Sequence, residues 1–534
     1  MLDPDEPTAL ARTADRVALG LLALASVFIL AQLLDFAHGR DQAIFAVVAD
    51  RMLAGGAPYA NAWDFKTPGI YCVYALAQGL FGSTVQAIRI LEVGAIVATA
   101  AAFVVLSRRA LGSAGLGLSA GLLGAFAAML TWVELEFWHT AQPESFAVPV
   151  LAWAIVAATC PAHVSRAALA WVAAGALFCA AGLLKPPLGG GILTSMALTM
   201  LTQRPRWKPL AAHAAGAGAV LALALFWLGA KGALDAAYQT LFVWTPHYTS
   251  IDSGAPPPLQ SMGTAIYRWL VGFSPFHAPG LALWILLRGH TAVERTVALH
   301  LAGVLAMGLV GIVLQNKFFD YHFGAVMPLT GLLAGWGYAR AWSRLRSKPL
   351  GLAVVGGGSA AILMGFVPTR EKGPAELWHR CAVRAQLWQD PDGTLDLRDE
   401  LYSYPGSPAG PRRRAADWIR SHTGELDTIF VWGFEPGIYQ QSGRRPASRY
   451  IYNVPQRVEW DADPARATLL SDLRANPPAA VVVQSGDALP WVTNNDEDSR
   501  SALSGFPELE GWLRTGYVSA ETIGPFEILI PVAD

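Results

Sequence analysis

The 534-residue chain is predicted to be a polytopic α-helical membrane protein with a soluble α/β domain at its C-terminus. Three observations predict this fold class. The composition is 53% hydrophobic and 15% charged, apolar runs of membrane length recur up to about residue 369, and beyond residue 370 they shorten to strand length. Such a composition excludes a soluble globule of this size, and a net charge of -1 argues against a nucleic-acid partner.

About eleven transmembrane helices are predicted, since a bilayer needs roughly 20 apolar residues per span. The runs are Val17–Leu34, Val85–Leu106, Leu116–Trp132, Phe146–Cys160, Ala167–Leu184, Leu188–Leu201, Leu210–Leu228, Leu270–Leu287, Val297–Leu314, Phe323–Tyr338 and Leu350–Val367. The first run is interpreted as a retained signal anchor, because the segment before it mixes acids with bases.

Basic residues fall on every second loop between these runs. They are Arg108, Arg109, Arg166, Arg204, Arg206, Lys208, Arg288, Arg295, Arg344, Arg346 and Lys348. By the positive-inside rule these loops are cytoplasmic. The pattern therefore predicts a multi-pass membrane protein with its N-terminus in the cytoplasm and its polar loops and C-terminal domain outside it.

Three domains are predicted: a transmembrane domain at residues 1–369, a loosely structured connector at 370–410 and a periplasmic α/β domain at 411–534. The connector contains one predicted amphipathic helix at Leu377–Trp388. In the last domain, strand patterns alternate with helical ones, which is typical of an α/β layer. The strands are Thr428–Trp432, Ala479–Gln484 and Phe526–Pro531, and the helices are Arg412–Ser421, Ala465–Ala475 and Pro507–Arg514.

The first external loop, Asp35–Tyr71, carries acids, bases and aromatic residues beside a bilayer. Ionisable groups are costly there, so they form a functional-site hypothesis. Residues 41–54 are predicted to form an amphipathic helix lying on the membrane, because Ile44, Phe45, Val48 and Met52 share one helical face. Asp41 at its start suits either a helix N-cap or a general base, and the local sequence leaves both roles open.

Three further polar patches are predicted on the same side of the membrane. They are WDFKTPG at Trp63–Gly69, HTAQPES at His139–Ser145 and QNKFFDYHFG at Gln315–Gly324. Lys66 and Lys317 supply point charges that suit a phosphate. A snorkelling lysine is the local alternative for Lys66.

Arg89, Glu144 and His322 also lie near helix ends on that side. Arg89 offers a bidentate fork for an anion or a partner for Glu92, and Glu144 suits a helix N-terminus. His322 offers a titratable ring or an ordinary interfacial histidine. Because several costly groups converge on one membrane face, the sequence favours a shared cavity.

A resemblance to a known family rests on four segments. They are GRDQAIFAVVADRMLAGGAPYANAWDFKTPGIYCVYALAQGLFGSTVQAIRI, the acid of HTAQPES, LLKPPLGG and KFFDYHFGAVMP. Together they resemble the C-type (GT-C fold) membrane glycosyltransferases of the protein O-mannosyltransferase and aminoarabinose-transferase kind, glycosyltransferase family 39-like. VWGFEPGIYQQSGRRPASRY, at Val431–Tyr450, is similar to the tail of bacterial members. The resemblance therefore implies a protein of the bacterial inner (plasma) membrane.

The resemblance implies an inverting enzyme that moves a sugar from a polyprenyl-phosphate donor to an acceptor hydroxyl outside the cytoplasm. It implies that Asp41 is the base, although Gln42 stands where many relatives have Glu and Lys66-Thr67-Pro68 stands for the usual Lys-Pro-Pro. Residues at the donor phosphate or sugar are then Lys66, Arg89, Glu144, Lys185, Lys317 and His322, with Asp64 and Tyr321 in support.

The chemistry is consistent with the residues themselves. A lipid phosphate leaves as an anion, so the site needs cations and one base but no nucleophilic carboxylate. The sequence has no glycine-rich phosphate loop for nucleotide chemistry and no cysteine or histidine spacing typical of a zinc site. No obligatory cofactor is predicted, while Asp41, Asp64 and Glu144 leave a divalent cation open.

The expected partners are membrane lipids, the lipid-linked donor and a lipid, glycan or protein acceptor. Two other function classes stay open. One is a lipid-linked sugar transporter or flippase, in which Leu183–Gly191 would interrupt a helix. The other is a non-catalytic scaffold whose external domain binds a partner around Gly433–Tyr450.

Overall fold

The computed structural model describes residues 9–112, 114–160, 166–202, 207–251, 256–270, 276–287, 289–363 and 374–532. The N-terminal part is helical: α1 (Ala9–Leu34), α2 (Arg40–Leu53), α3 (Pro68–Phe81), α4 (Val85–Leu111), α5 (Ala114–His139), α6 (Pro143–Ala158), α7 (Ala167–Leu184), α8 (Pro186–Gly189), α9 (Gly191–Thr202), α10 (Trp207–Ala230), α11 (Leu234–Tyr238), α12 (Thr245–Ser250), α13 (Pro258–Arg268), α14 (His277–Leu286), α15 (Ala292–Gln315), α16 (Gly331–Leu345) and α17 (Pro349–Leu363). A π-helix spans Gln239–Trp244, and 3-10 helices span Asp320–Ala325 and Met327–Thr330.

Six of the described helices, α1, α4, α5, α7, α10 and α15, are long and apolar enough to cross a membrane. Each of the eleven predicted apolar runs overlaps a described helix, but the count of eleven spans is not confirmed, because several of these helices are shorter than about 20 residues. Arg204, Arg206 and Arg288, which supported the predicted topology, lie outside the described residues, as do residues 364–367 of the last run.

Small residues bring the helix backbones into direct contact, as is common in membrane bundles. A Cβ on Gly175 of α7 would lie 2.0 Å from the carbonyl oxygen of His213 of α10. Any residue larger than glycine would therefore clash with the backbone of α10. This contact fixes α7, whose end leads into Lys185.

Helix α2 begins one residue earlier than predicted, and its surroundings differ from the prediction. All its residues from Gln42 to Ala49 are buried, and it packs against α3 and a helix of the C-terminal part, α21 (Gly437–Ser442). The expectation of a helix lying on the membrane surface is therefore wrong. Protein covers the polar face as well as the apolar one, a contact that helical periodicity does not reveal.

The connector is more ordered than predicted. Its helices are α18 (Pro374–Gln389) and α19 (Leu395–Leu401), and α18 contains the predicted helix. Arg380 and Arg384 of α18 each place a guanidinium nitrogen 2.5 Å from the carboxylate of Glu136 in α5. The prediction of a loose connector is wrong because these buried ion pairs anchor it.

The C-terminal part contains a five-stranded sheet of order β2-β1-β3-β5-β4. The strands are β1 (Thr428–Trp432), β2 (Arg445–Pro446), β3 (Ala480–Gln484), β4 (Tyr517–Ile523) and β5 (Phe526–Pro531), and the remaining helices are α20 (Ala409–His422), α22 (Ala462–Ala475), α23 (Pro490–Thr493), α24 (Ser499–Leu503) and α25 (Pro507–Gly516). β2, β1 and β3 are parallel, while β5 is antiparallel to both β3 and β4. All three predicted strands and three predicted helices are present, whereas β2 and β4 were not predicted.

Candidate functional site

A cavity of about 420 Å³ lies between the helical part and the C-terminal part. One wall combines the start of α2, the loop before α3, the end of α5 and the segment around Tyr321. The other wall includes Tyr404, Phe434 and Trp491. Phe434 and Trp491 follow the carboxyl ends of β1 and β3, the sheet edge where ligands bind in open α/β folds.

Asp41 lines this cavity as the second residue of α2. The residue at the N-cap position is Gly39, and no side chain caps the helix, so the N-cap interpretation of Asp41 is wrong. Its Oδ2 accepts a hydrogen bond of 3.1 Å from Nε2 of Gln142. Among the described residues, Oδ1 of Asp41 has no hydrogen-bond partner, which leaves an oxygen that can accept a proton.

Lys66 also lines the cavity, on a loop whose backbone is tightly held. The hydroxyl of Tyr59 donates to the Lys66 carbonyl at 2.8 Å, and the Lys66 N–H donates to the Tyr71 hydroxyl at 3.1 Å. Three residues on, a Cβ at Gly69 would lie 2.5 Å from the carbonyl oxygen of Leu183. The loop therefore needs glycine there to pack against the end of α7.

The ammonium of Lys66 is held mainly by aromatic rings. Its Nζ lies 5.1 Å from the ring centre of Phe65 and 6.0 Å from that of Tyr321. Within the described ranges this Nζ makes no hydrogen bond or ion pair. Burial lowers its pKa, but Tyr321 and Asp41 outweigh that effect, so the pKa of Lys66 is raised and the side chain stays charged.

Asp64 is a second carboxylate at the cavity, and both of its oxygens are occupied. Oδ2 accepts from the Tyr71 hydroxyl and Oδ1 from the Tyr452 hydroxyl, both at 2.7 Å. Burial raises the pKa of Asp64, although Lys66 and the two hydroxyls oppose that rise. Asp64 therefore connects the loop before α3 to the C-terminal part.

Glu144 and Lys185 form an ion pair with each other. Neither is among the described residues that line the cavity. Nζ of Lys185 lies 5.8 Å from the ring centre of Tyr321, so the pair is close to a ring that lines the cavity. The structure thus brings Asp41, Lys66, Asp64 and Tyr321 together at the cavity and leaves Glu144 and Lys185 outside its described lining.

Lys317 and His322 also lie outside the described cavity lining. Nζ of Lys317 donates to the carbonyls of Ile251 at 2.9 Å and Trp491 at 3.4 Å, and Nδ1 of His322 hydrogen-bonds to the Lys317 carbonyl. Burial, together with the charges of Lys185 and Lys66, holds the pKa of His322 well below its ordinary value. His322 is therefore neutral at pH 7.

Arg89 is fully buried in a layer beneath the cavity. Nε donates to the Phe36 carbonyl, Nη1 to Glu92 and Thr140, and Nη2 to the carbonyls of Ala37 and Phe137, at 2.7–3.2 Å. These bonds use all five N–H groups of a guanidinium. Arg89 pairs with Glu92, as its local alternative predicted, and has no donor left for a phosphate.

Several cavity residues were not singled out from the sequence, and those with charged or aromatic side chains include Arg40, Tyr248, Tyr404 and Trp491. Arg40 directly precedes Asp41, so its position at the start of the same helix was an available signal. Its guanidinium lies 4.6 Å from the ring centre of Phe434. The three aromatic residues come from distant segments, for which no local pattern exists.

No group of three histidine, cysteine, aspartate or glutamate side chains that suits a metal ion occurs within the described residues. The set considered from the sequence, Asp41, Asp64 and Glu144, does not form such a group. Two of the three are engaged, Asp64 by tyrosine hydroxyls and Glu144 by Lys185.

No family model matches the chain, and no curated protein matches it. Among solved structures it is similar to ArnT from Cupriavidus metallidurans bound to undecaprenyl phosphate, with a TM-score of 0.62, 16% identity and coverage of 97% of this chain and 98% of that one. The apo state of the same protein gives a TM-score of 0.61 and 15% identity over 97% and 99% of the two chains. The chain has the GT-C fold.

This GT-C membrane fold confirms the resemblance drawn from the sequence motifs at the level of the fold. A third structure, archaeal oligosaccharyltransferase AglB from Archaeoglobus fulgidus, gives a TM-score of only 0.44 at 12% identity, over 95% of this chain and 73% of that one, and adds no argument. At such low identities the fold alone is shared, so the reaction has to be argued from the residues at the cavity.

Proposed function

We propose that the chain is an inverting glycosyltransferase that moves a sugar from a polyprenyl-phosphate donor to an acceptor hydroxyl. The observation that carries the proposal is the cavity that Asp41 and Lys66 share. Within the described part of the chain, Asp41 has one carboxylate oxygen without a partner, and Lys66 has an ammonium without an ion pair. The similarity to ArnT in complex with undecaprenyl phosphate supports the class of donor.

The proposed reaction needs only these two charges. Asp41 takes the proton of the acceptor hydroxyl while the acceptor oxygen attacks the anomeric carbon. The new carbon–oxygen bond forms as the bond from that carbon to the phosphate oxygen breaks. The electron pair leaves with the lipid phosphate, and Lys66 neutralises its charge. A single displacement of this kind inverts the anomeric centre.

A mechanism with two working carboxylates is less consistent with the cavity. Such mechanisms need an acid or nucleophile opposite the base. Asp64 is the other carboxylate in the described lining, and tyrosine hydroxyls occupy both its oxygens. Glu144 is outside the described lining, and its Oε1 is paired with Lys185. Asp41 is therefore proposed as the base and Lys66 as the phosphate cation, while Lys185, Lys317 and His322 shape the surrounding layer.

The proposed setting is a bacterial inner membrane. The positive-inside pattern supports an N-terminus in the cytoplasm and a cavity and C-terminal domain outside it. Domain boundaries are proposed at residues 370 and 411. The acceptor is a lipid, a glycan or a protein, and no obligatory cofactor is proposed, with a divalent cation left as an option.

The test compares two aspartates of α2. Asp41→Asn should lower sugar transfer by about 100-fold or more, the usual contribution of a general base. Asp50→Asn is the matched control and should leave transfer unchanged, since Asp50 accepts from Ser83 at 2.6 Å and is not in the described cavity lining. The assay uses proteoliposomes, undecaprenyl phosphate carrying a radiolabelled hexose or pentose, and a cell-envelope extract as the source of acceptors.

Two results would contradict the proposal. Transfer by Asp41→Asn at the wild-type rate would remove Asp41 from the mechanism. Movement of the intact labelled lipid across the vesicle membrane, with no sugar transferred, would instead favour the transporter class.

A further inference from the structure

Residues 136–142, which are the last residues of α5 beyond its kink at Glu136 and the turn before α6, bring a second polar side chain to Asp41. Gln142 is fully buried, and its Nε2 lies 3.1 Å from Oδ2 of Asp41. An ionised carboxylate only accepts hydrogen bonds, so the NH₂ end of the amide faces Asp41. Gln142 therefore occupies one oxygen of the proposed base and leaves the other for the cavity.

The backbone of this turn adopts an uncommon conformation that its surroundings enforce. Glu136 and Ala141 have φ angles of 60° and 51°, in the left-handed region that residues other than glycine seldom adopt. The Ala141 N–H donates to Glu92 at 2.6 Å, and the Ala141 carbonyl accepts from the Tyr74 hydroxyl at 3.0 Å. Such strain persists only where neighbouring groups determine the backbone, and it clusters at functional sites.

Gln42 holds the same turn from α2. Its Nε2 lies within 3.2 Å of three carbonyl oxygens, those of Phe137, Trp138 and Thr140. Arg89 adds a bond to the Phe137 carbonyl at 3.1 Å. A carboxylate in place of the Gln42 amide has no N–H to offer these carbonyls. The amide at this position therefore has a clear physical use, since it ties the turn that carries Gln142 to the helix that carries Asp41.

We infer that Gln142 is a positioning residue for the base. Gln142 orients the Asp41 carboxylate so that Oδ1 faces the acceptor hydroxyl. Gln42, Glu92 and Tyr74 in turn hold the backbone that positions Gln142. The inference rests on the proposed function, in which Asp41 takes the proton. Proton transfer depends on such alignment, so Gln142 contributes to the chemical step and not to binding of the donor phosphate.

The test removes the amide donor and keeps the side-chain length. Gln142→Met has a similar shape without an N–H, and Gln142→Glu places a second carboxylate against Asp41, where two like charges disfavour each other. The matched control is Gln78→Met, because Gln78 is also buried and its Nε2 donates to the Ala46 carbonyl of α2 at 3.1 Å, away from Asp41.

Both Gln142 variants should lower kcat by about 10- to 100-fold, with the KM of the labelled donor unchanged. The Kd for undecaprenyl phosphate should also stay at its wild-type value. Rates are expressed per undecaprenyl-phosphate binding site, so that unfolded protein does not count. The Gln78→Met variant should keep the wild-type kcat.

Wild-type kcat in both Gln142 variants overturns the inference, as does an equal loss of kcat in Gln78→Met. A rise of KM and Kd with an unchanged kcat also overturns it, because the side chain would then serve only the binding pocket. Asp41→Asn in the same assay separates the two proposals. If Asp41→Asn is inactive while Gln142→Met has the wild-type kcat, only the positioning role is wrong. If Asp41→Asn is fully active, the proposed function is wrong as well.

Discussion

The cavity and the layer beneath it both contain charged side chains, but these differ in whether their hydrogen-bonding groups have partners. At the cavity, Asp41 has one oxygen and Lys66 has an ammonium that make no hydrogen bond with the described residues. In the layer below, Arg89 uses all five of its N–H groups, and Glu92 pairs with it at 2.8 Å. Charge beside a bilayer therefore does not identify a functional group. The state of its hydrogen bonds distinguishes a group that can meet a substrate from one that holds the fold.

The largest effect predicted from this comparison concerns the layer beneath the cavity. Arg89→Met should lower the free energy of unfolding by about 3–5 kcal/mol, because it leaves the buried carboxylate of Glu92 without its ion-pair partner. Thermal unfolding in detergent micelles measures the loss. The exposed Arg295, changed to Met, is the control and should leave the unfolding temperature unchanged. A stable Arg89→Met protein that no longer binds undecaprenyl phosphate would instead place Arg89 in the donor site.

The next prediction contrasts Lys66 and Lys185, the two lysines whose ammonium groups lie near the ring of Tyr321. Lys66→Met should weaken undecaprenyl phosphate binding by about 10- to 100-fold, as expected for the loss of a hydrogen bond to a charged group. Its unfolding temperature should not fall, since Lys66 has no ion pair in the described structure. Lys185→Met should instead lower the unfolding temperature and leave undecaprenyl phosphate binding unchanged, because it leaves the buried Glu144 without its partner. If both changes weaken binding equally, Lys66 and Lys185 do not differ in their access to the lipid phosphate, and the proposed distinction between them is wrong.

The smallest effect concerns His38, which lies outside the predicted spans and contacts Gln440 of α21 at 2.7 Å. Burial and the charge of Arg89 lower the pKa of His38 from 6.5 to about 3. The folded state therefore contains neutral His38, while the unfolded state takes up a proton as the pH falls below 6.5. Stability from this residue is complete above pH 6.5 and is lost as the pH falls towards 3, by about 1.4 kcal/mol at pH 5.5.

His38→Gln should remove the contribution of His38 to the loss of stability between pH 7.5 and pH 5.5. The shift of the unfolding temperature between these two pH values measures it. His422→Gln is the control, because it removes an exposed histidine instead of a buried one. If His38→Gln keeps the wild-type pH dependence, other groups dominate the response to acid in this range.

Much of the architecture could be predicted from local patterns. Apolar runs marked the positions of helices, and β1, β3 and β5 were found within one residue, because these signals depend on near neighbours in the chain. Helix α3 was missed, since its 14 residues are too short for a span and carry polar side chains. Of the residues predicted for the candidate site, only some share a cavity. Asp41, Lys66, Asp64 and Tyr321 do line one cavity, whereas Arg89, Glu144, Lys185, Lys317 and His322 do not belong to its described lining.

The sequence by itself determined that this is a membrane protein with a helical transmembrane part and an α/β part. It also determined that energetically costly charged residues lie between these two parts. Local composition and periodicity suffice for these features, because a bilayer selects for apolar length and a sheet for alternation. Only the tertiary structure decided which charges remain available. Asp64 meets Tyr452 across 388 residues and Asp41 meets Gln142 across 101. Hydrogen bonds between segments so distant leave no periodic signal in the chain, so only packing reveals which side chains they occupy.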